Sequence, residues 1–202
     1  MSLWRLPEPL ILASGSSVRR QLLTNAGIPV DVHPANIDER AIEKSASDLS
    51  PPQLAARLAH AKGEHVAQQF PSRVVLAADQ TMACGDRVYH KPTDLAAAHA
   101  QITSLLGRTH ELHAAIALFA NGRCVFEGCE TARLTMRDAT PDFVGRYLDL
   151  AGEKVFTSVG GYQLEGIGVQ LFEKIEGDYF TILGLPLLPL LKFLQSKQYV
   201  VA

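Results

Sequence analysis

Apolar positions recur along the chain in two rhythms. Leu10-Ile11-Leu12-Ala13 is an unbroken apolar run short enough for a buried strand, and it enters a polar turn at Ser14-Gly15-Ser16-Ser17. Val18, Leu22, Leu23 and Ala26 then follow at helical spacing, with Gly27 as the stop. Val30 to His33 predicts a second strand, whereas Pro34 to Asp48 is polar without a period and predicts irregular chain. Ser50-Pro51-Pro52-Gln53 has the form of a capping box with proline at the first helical position, opening a helix to about Gln69. Arg73 to Ala78 predicts a buried strand, with Asp79-Gln80-Thr81 at its end, and Thr93 to Leu106 predicts a helix. Glu111 to Phe119 and Arg123 to Met136 predict two long strands joined around Asn121-Gly122, a hairpin signal. Thr140-Pro141-Asp142 opens a helix to about Leu150, Gly160-Gly161 precedes an expected strand pair between Tyr162 and Glu176, and a last helix follows Gly184-Leu185-Pro186.

Helices alternating with strands, then a long central hairpin, predict an α/β fold: a mixed sheet with flanking helices. The 202 residues, 47% hydrophobic, are enough to bury a core without a metal or disulfide staple, and too apolar for disorder. No linker composition interrupts the chain, so a single domain over residues 1–202 with two lobes around a cleft is expected.

Charge narrows the partners. Nineteen basic against 21 acidic residues leave a formal charge of −2, which argues against a duplex nucleic acid partner but leaves room for a small anion held by a local cluster of cations. Cys84, Cys124 and Cys129 are odd in number and irregular in spacing, neither a disulfide framework nor a CxxC metal site, and predict reduced thiols in a cytoplasmic protein. The start of the chain has no apolar leader, and the late apolar stretch Leu183 to Leu194 is cut by Pro186 and Pro189, so no membrane association is expected. An apolar C-terminal helix leaves a homodimer open.

Six segments carry candidate chemistry. Ser16, Ser17, Arg19 and Arg20 stand at a helix N-terminus, where the macrodipole already disfavours cations unless an anion compensates; with Ser14 they would make a phosphate cradle, or else an ordinary serine cap with solvated arginines. Asp79, at the end of a buried run, is suited to holding Mg²⁺ or taking a proton from water, and equally to capping a turn. Lys62 falls on the apolar stripe of its helix, four residues after Leu58 and four before Val66; an inward lysine either has an anionic partner or snorkels. Lys91, in Lys91-Pro92, and the acids Glu39 and Glu165 are weaker candidates that also read as solvated surface charge. His60 and His65 form no HExxH motif, and His110 and His113 are spaced to face opposite sides of a strand.

Taken in order, Leu12 to Arg20, Asp38-Glu39, Ala61-Lys62, Ala78-Asp79-Gln80, His90-Lys91-Pro92, Gly107-Arg108-Thr109-His110, Gly160 to Gly166 and Leu183 to Leu187 resemble the Maf family of nucleoside triphosphate pyrophosphatases, from about Leu10 to Leu194. The resemblance implies a fold similar to inosine triphosphate pyrophosphatases and hydrolysis between the α and β phosphates with a divalent cation, Mg²⁺ or Mn²⁺. It implies that Asp79 is the proton acceptor, that Ser14, Ser16, Arg19 and Arg20 bind phosphate, and that Glu39, Lys62 and Lys91 supply the other charges, Glu39 and Asp79 holding the metal. Gln80 and Glu165, with the stretch from Gly166 to Glu173, look like the family's 7-methyl-GTP branch; its dTTP and UTP branch has threonine and glutamine at those two positions. A carboxylate at Glu165 would accept from the N1–H and 2-amino group of guanine, a donor pair that pyrimidines lack. Val18 departs from that branch, which often has a stacking tryptophan there. The alternatives are a pyrimidine triphosphate pyrophosphatase of the same fold and a nucleotide-binding regulator of cell division without useful catalysis.

Overall fold

The computed structural model describes residues 2–201. Its strands are β1 (Leu10–Leu12), β2 (Val30–Val32), β3 (Val75–Cys84), β4 (Arg87–Tyr89), β5 (Thr109–Ala120), β6 (Arg123–Met136) and β7 (Phe172–Glu176). They form one mixed sheet in the order β2-β1-β3-β5-β6-β7, with β4 paired to β3. β1 runs parallel to both β2 and β3, with Ile11 beside Val75, while β3–β4 and β6–β7 are antiparallel. The helices are α1 (Ser17–Asn25), α2 (Glu39–Ser45), α3 (Pro51–Gln69), α4 (Leu95–Leu105), α5 (Pro141–Ala151), α6 (Tyr179–Ile182) and α7 (Leu187–Ser196). The expected α/β class, with a mixed sheet and flanking helices, is the fold observed.

The chain divides into two compact units: unit 1 comprises Met1–Gln80, His113–Glu130 and Asp178–Ala202, and unit 2 comprises Thr81–Leu112 and Thr131–Gly177. β3, β5 and β6 each contribute residues to both, so no single stretch of chain could serve as a linker.

In unit 1 the pleat sorts side chains onto two faces. Leu10, Leu12, Leu76, Ala78, Ile116 and Leu118 join Leu22 and Leu23 of α1 and Leu187, Leu190 and Leu194 of α7 in one core. Their neighbours Ile11, Ala13, Val75, Ala77, Ala115, Ala117 and Phe119 form a second core with Ala55, Ala59, Val66 and Ala67 of α3. Both faces are covered, which is why these strands read as continuous apolar runs. α7 buries Leu187, Leu190 and Leu194 within its own unit, while Leu188 stays exposed. The capping box of α3 forms as expected between Ser50 and Gln53. Gly63 lets α3 lie close to β5, since a Cβ there would run into the Phe119 ring.

In unit 2, β4 pairs with the end of β3 through Met82 and Tyr89, and α4 and α5 bury Ala98, Ile102, Leu105, Val144, Tyr147 and Leu148. The expected strand pair from Tyr162 to Glu176 is half wrong. Only β7 is a strand; before it lie 3₁₀ turns at Val159–Gly161 and Ile167–Leu171. Gly160 has φ of 79° and a Cβ on it would sit 2.8 Å from the Met82 sulfur, so backbone here passes where a strand side chain has no room.

Two further expectations are corrected. The stretch from Pro34 to Asp48 is not wholly irregular: Asp38 caps α2 by accepting from the Ala41 N–H at 3.0 Å, although α2 buries no residue. β3 does not end at Ala78 but continues through Asp79 to Cys84. β4 and α6, three and four residues long, are too short to show a period in the sequence. No helix among the described residues is long and apolar enough to cross a membrane.

Candidate active site

Because β3 continues through them, Asp79 and Gln80 point to opposite faces. Asp79 follows Val75 and Ala77 onto the α3 face, and Gln80 follows Leu76 and Ala78 onto the α1–α7 face. Asp79 is buried, at 8% exposure, so its charge needs compensation. Lys62 supplies it: its ammonium donates to Asp79 Oδ1 at 2.5 Å and lies 2.8 Å from Glu39 Oε2. The side chains of Lys62 and Asp79 are each 11% exposed, whereas Glu39 is 45% exposed. Of the two readings of an inward lysine, the anionic partner is therefore the one found. Removing one member of a buried pair costs about 3–5 kcal/mol, because the other charge is stranded. Glu39 heads α2, where a negative charge suits the helix dipole.

Arg19 is the second cation, half-buried. Its Nε donates to the Gly184 carbonyl at 2.8 Å, and its Nη1 donates to Ser14 Oγ at 3.0 Å and to the Ala78 carbonyl at 2.8 Å. Burial pulls its pKa below the usual arginine value, while the charges of Asp79 and Glu39 push it back up. These bonds fix the guanidinium beside the two carboxylates. Ser16 is the N-cap of α1 and accepts from the Arg19 N–H at 3.3 Å; its own N–H donates to Ser14 Oγ, also at 3.3 Å. The serines thus act locally as cap and anchor of the turn that carries Arg19. The Gln80 amide donates to the Thr181 and Ile182 carbonyls, 3.1 Å each, which ties β3 to α6. Val18 is half-buried against the α1–α7 core.

Of the sequence candidates, unit 1 brings together Ser14, Ser16, Arg19, Glu39, Lys62 and Asp79, with Gln80 on the reverse face of β3. Arg20, next to Arg19 but about 100° around the helix, is exposed. Lys91 and Glu165 belong to unit 2 and are exposed. What sequence reasoning missed is backbone: the carbonyls of Ala78 and Gly184 hold Arg19, and a carbonyl has no signature in a sequence.

The cluster holds one buried carboxylate able to accept a proton, a second carboxylate within reach of the same ammonium, and two cations. Two carboxylates meeting at one Lys62 nitrogen offer hard oxygen donors of the type that Mg²⁺ and Mn²⁺ prefer. The arrangement suits the neutralisation of a phosphate chain and the activation of water.

Comparison with known proteins gives a consistent result. A protein of Rhodopseudomonas palustris (strain HaA2), named nucleoside triphosphate pyrophosphatase, is 54% identical over 198 residues, covering 98% of each chain. A Rhizobium etli protein named 7-methyl-GTP pyrophosphatase is 54% identical over 184 residues, 90% of this chain and 92% of that one. The solved structure of a HAM1 protein from Coxiella burnetii shares 16% identity and a TM-score of 0.41 over 63% of this chain and 72% of that one, too slight a likeness to carry weight. The family model for Maf-like protein matches residues 9–197. With that match running from before β1 to the end of α7, the chain belongs to the Maf-like protein family.

Proposed function

We propose that this protein is a nucleoside triphosphate pyrophosphatase, hydrolysing the bond between the α and β phosphates to give a nucleoside monophosphate and pyrophosphate. The observation that carries the reading is the buried Asp79–Lys62 pair, joined by the half-exposed Glu39 and set beside Arg19. A surface patch would leave such charges solvated; a buried carboxylate held by a cation is an arrangement that functional sites use for proton transfer or for a highly charged substrate. The names of the relatives at 54% identity agree with it.

In this mechanism Lys62 holds Asp79 by Oδ1 and orients it, so that the carboxylate can take a proton from the attacking water. Arg19, fixed by three acceptors, presents its guanidinium to the phosphates without having to be reordered during reaction. Lys62 and Lys91 would add positive charge for a chain that carries about four negative charges. Ser14 and Ser16 hold the turn on which Arg19 stands, and Arg20 provides a further cation at the same helix start. Asp79 and Glu39 are the residues that would hold a divalent cation; when bound it would neutralise phosphate charge and lower the pKa of water.

For the base, we propose 7-methyl-GTP. Glu165 would accept from the N1–H and 2-amino group, and the positive charge of a methylated guanine favours an acid over an amide there. The Rhizobium etli relative's name supports this branch. We place the protein in the cytoplasm, a reading supported by its three free cysteines. Within one domain of two lobes, the nucleotide would be the partner rather than nucleic acid or membrane. The test is a panel of canonical and methylated triphosphates with Mg²⁺ or Mn²⁺, scored by pyrophosphate release. The expected winner is 7-methyl-GTP, with Glu165→Gln shifting preference toward dTTP and UTP; a wild-type protein that prefers pyrimidines would overturn the base assignment.

A further inference from the structure

Away from Asp79, on the strand hairpin of unit 1, three metal-binding side chains of different chemistry converge. His60 projects from the middle of α3, and Cys124 and Glu127 from β6. One ligand atom from each lies within 4.8 Å of the other two. His60 Nδ1 is 2.7 Å from Glu127 Oε1, so imidazole and carboxylate already meet. Residues three apart face opposite sides of a regular strand, so the approach of Cys124 to Glu127 marks a local departure from the pleat.

The site is held from behind and open in front. The His60 ring packs edge-on against Phe119, with centroids 5.3 Å apart, which limits its swing. A pocket of about 430 Å³ lies beside it, lined by Ala56, Arg57, His60, Glu127, Gly128 and Cys129. The pocket leaves room for a water as fourth ligand. Arg57 is the cation facing this pocket, and it is exposed, free to turn its charge outward.

We infer that His60, Cys124 and Glu127 form a binding site for a borderline-soft divalent ion, Zn²⁺ by preference, separate from the oxygen donors of Asp79 and Glu39. A sulfur and a ring nitrogen with one carboxylate are a zinc donor set, whereas Mg²⁺ and Mn²⁺ seek oxygen alone. Donors about 2.0–2.3 Å from a tetrahedral zinc stand roughly 3.3–3.8 Å apart, so the three atoms need only small side-chain shifts to close on an ion. The thiol proton leaves to water as the thiolate binds the metal. His60 and Lys62 are two residues apart on α3, about 200° around the helix, so the ion would sit on a different side from the Asp79 cluster. Its effect would be to clip α3 to β6.

The probe is Co²⁺, titrated into the metal-free full-length protein and then displaced by Zn²⁺. One Co²⁺ per chain is expected to give a thiolate-to-cobalt charge-transfer band that Zn²⁺ abolishes. Cys124→Ser should lack the band. His60→Gln and Glu127→Gln should keep it but need more metal, by at least the roughly 10–100-fold that loss of an outer partner costs. Asp79→Asn should bind with the wild-type band and midpoint, which separates this site from any ion held by the carboxylates. Zn²⁺ should also raise the unfolding midpoint of the wild type and not that of Cys124→Ser. A wild type without the band, or a band that survives in Cys124→Ser, would overturn the inference. Glu127→Gln alters an exposed residue and so keeps the test open even if Cys124→Ser folds poorly.

Discussion

Each unit buries polar side chains on the strands they share, but they do so in opposite ways. In unit 1 a buried carboxylate is paired with a cation: Asp79 meets Lys62 at 2.5 Å, and beside them Arg19 is held by three acceptors. In unit 2 the buried groups are held neutral. His110 meets the Tyr162 hydroxyl at 2.6 Å, with burial alone lowering the histidine pKa from 6.5 to about 4. The Tyr147 hydroxyl donates to the Gly161 carbonyl at 3.0 Å and is pushed up to about 12 by burial, which also raises Tyr162. Phe172 closes the group with its ring 4.8 Å from that of Tyr162. A fold that needs a polar link for specificity can use neutral groups, as unit 2 does, and avoid the cost of desolvating ions. In the proposed reading the charged cluster around Asp79 serves the chemistry, while the neutral His110, Tyr162 and Tyr147 group fastens the fold of unit 2.

The sharpest way to break this contrast is Asp79→Asn. It keeps the shape and removes the proton acceptor, so turnover should fall by about 10²–10⁴-fold while circular dichroism stays that of the wild type. Lys62→Met comes next. It strands a buried carboxylate, so a loss of about 3–5 kcal/mol in denaturant unfolding is expected together with a fall in kcat; unchanged stability would mean that Asp79 is less buried than its surroundings indicate.

In unit 2 the expected signature is pH-dependent stability without an effect on chemistry. The folded pKa of His110 lies below its ordinary value, so the neutral ring stabilises the fold fully above about pH 6.5. That contribution is lost as pH falls from about 6.5 to about 4, and amounts to about 3 kcal/mol at 1.36 kcal/mol per unit. His110→Phe should flatten this acid limb, read from urea midpoints at pH 7 and pH 4, and leave turnover per folded molecule near wild type. The smallest effect is Ser16→Ala, which removes the α1 cap at a cost of about 1 kcal/mol and loosens the turn carrying Arg19.

How much of this was legible in the sequence differs by element. The capping box before α3, the Asn121-Gly122 hairpin and the serine cap of α1 are local signals, and each element formed where its signal stands. Lys62 announced itself by standing on an apolar stripe; which partner it met could not be read, since Asp79 and Glu39 come from other segments. Asp79-Gln80-Thr81 reads as a polar turn, yet β3 runs through it, because Lys62 and the Thr181 and Ile182 carbonyls satisfy those polar groups from afar. α2 lacks an apolar stripe altogether, and only its Asp38 cap marked it. Tyr162 to Leu171 carries strand-forming residues, but it follows a turn in which Gly160 and Gly161 have positive φ and enters a 3₁₀ turn at Ile167–Leu171. The His60, Cys124 and Glu127 cluster joins a helix to a strand more than sixty positions away and has no motif to betray it.

One measurement tests the central claim most directly: the products formed from a nucleoside triphosphate by equal amounts of folded wild type and Asp79→Asn, resolved by anion exchange. The expected result is nucleoside monophosphate and pyrophosphate in equal amounts from the wild type and almost none from the variant. Nucleoside diphosphate with free phosphate from the wild type, or undiminished pyrophosphate from Asp79→Asn, would contradict it.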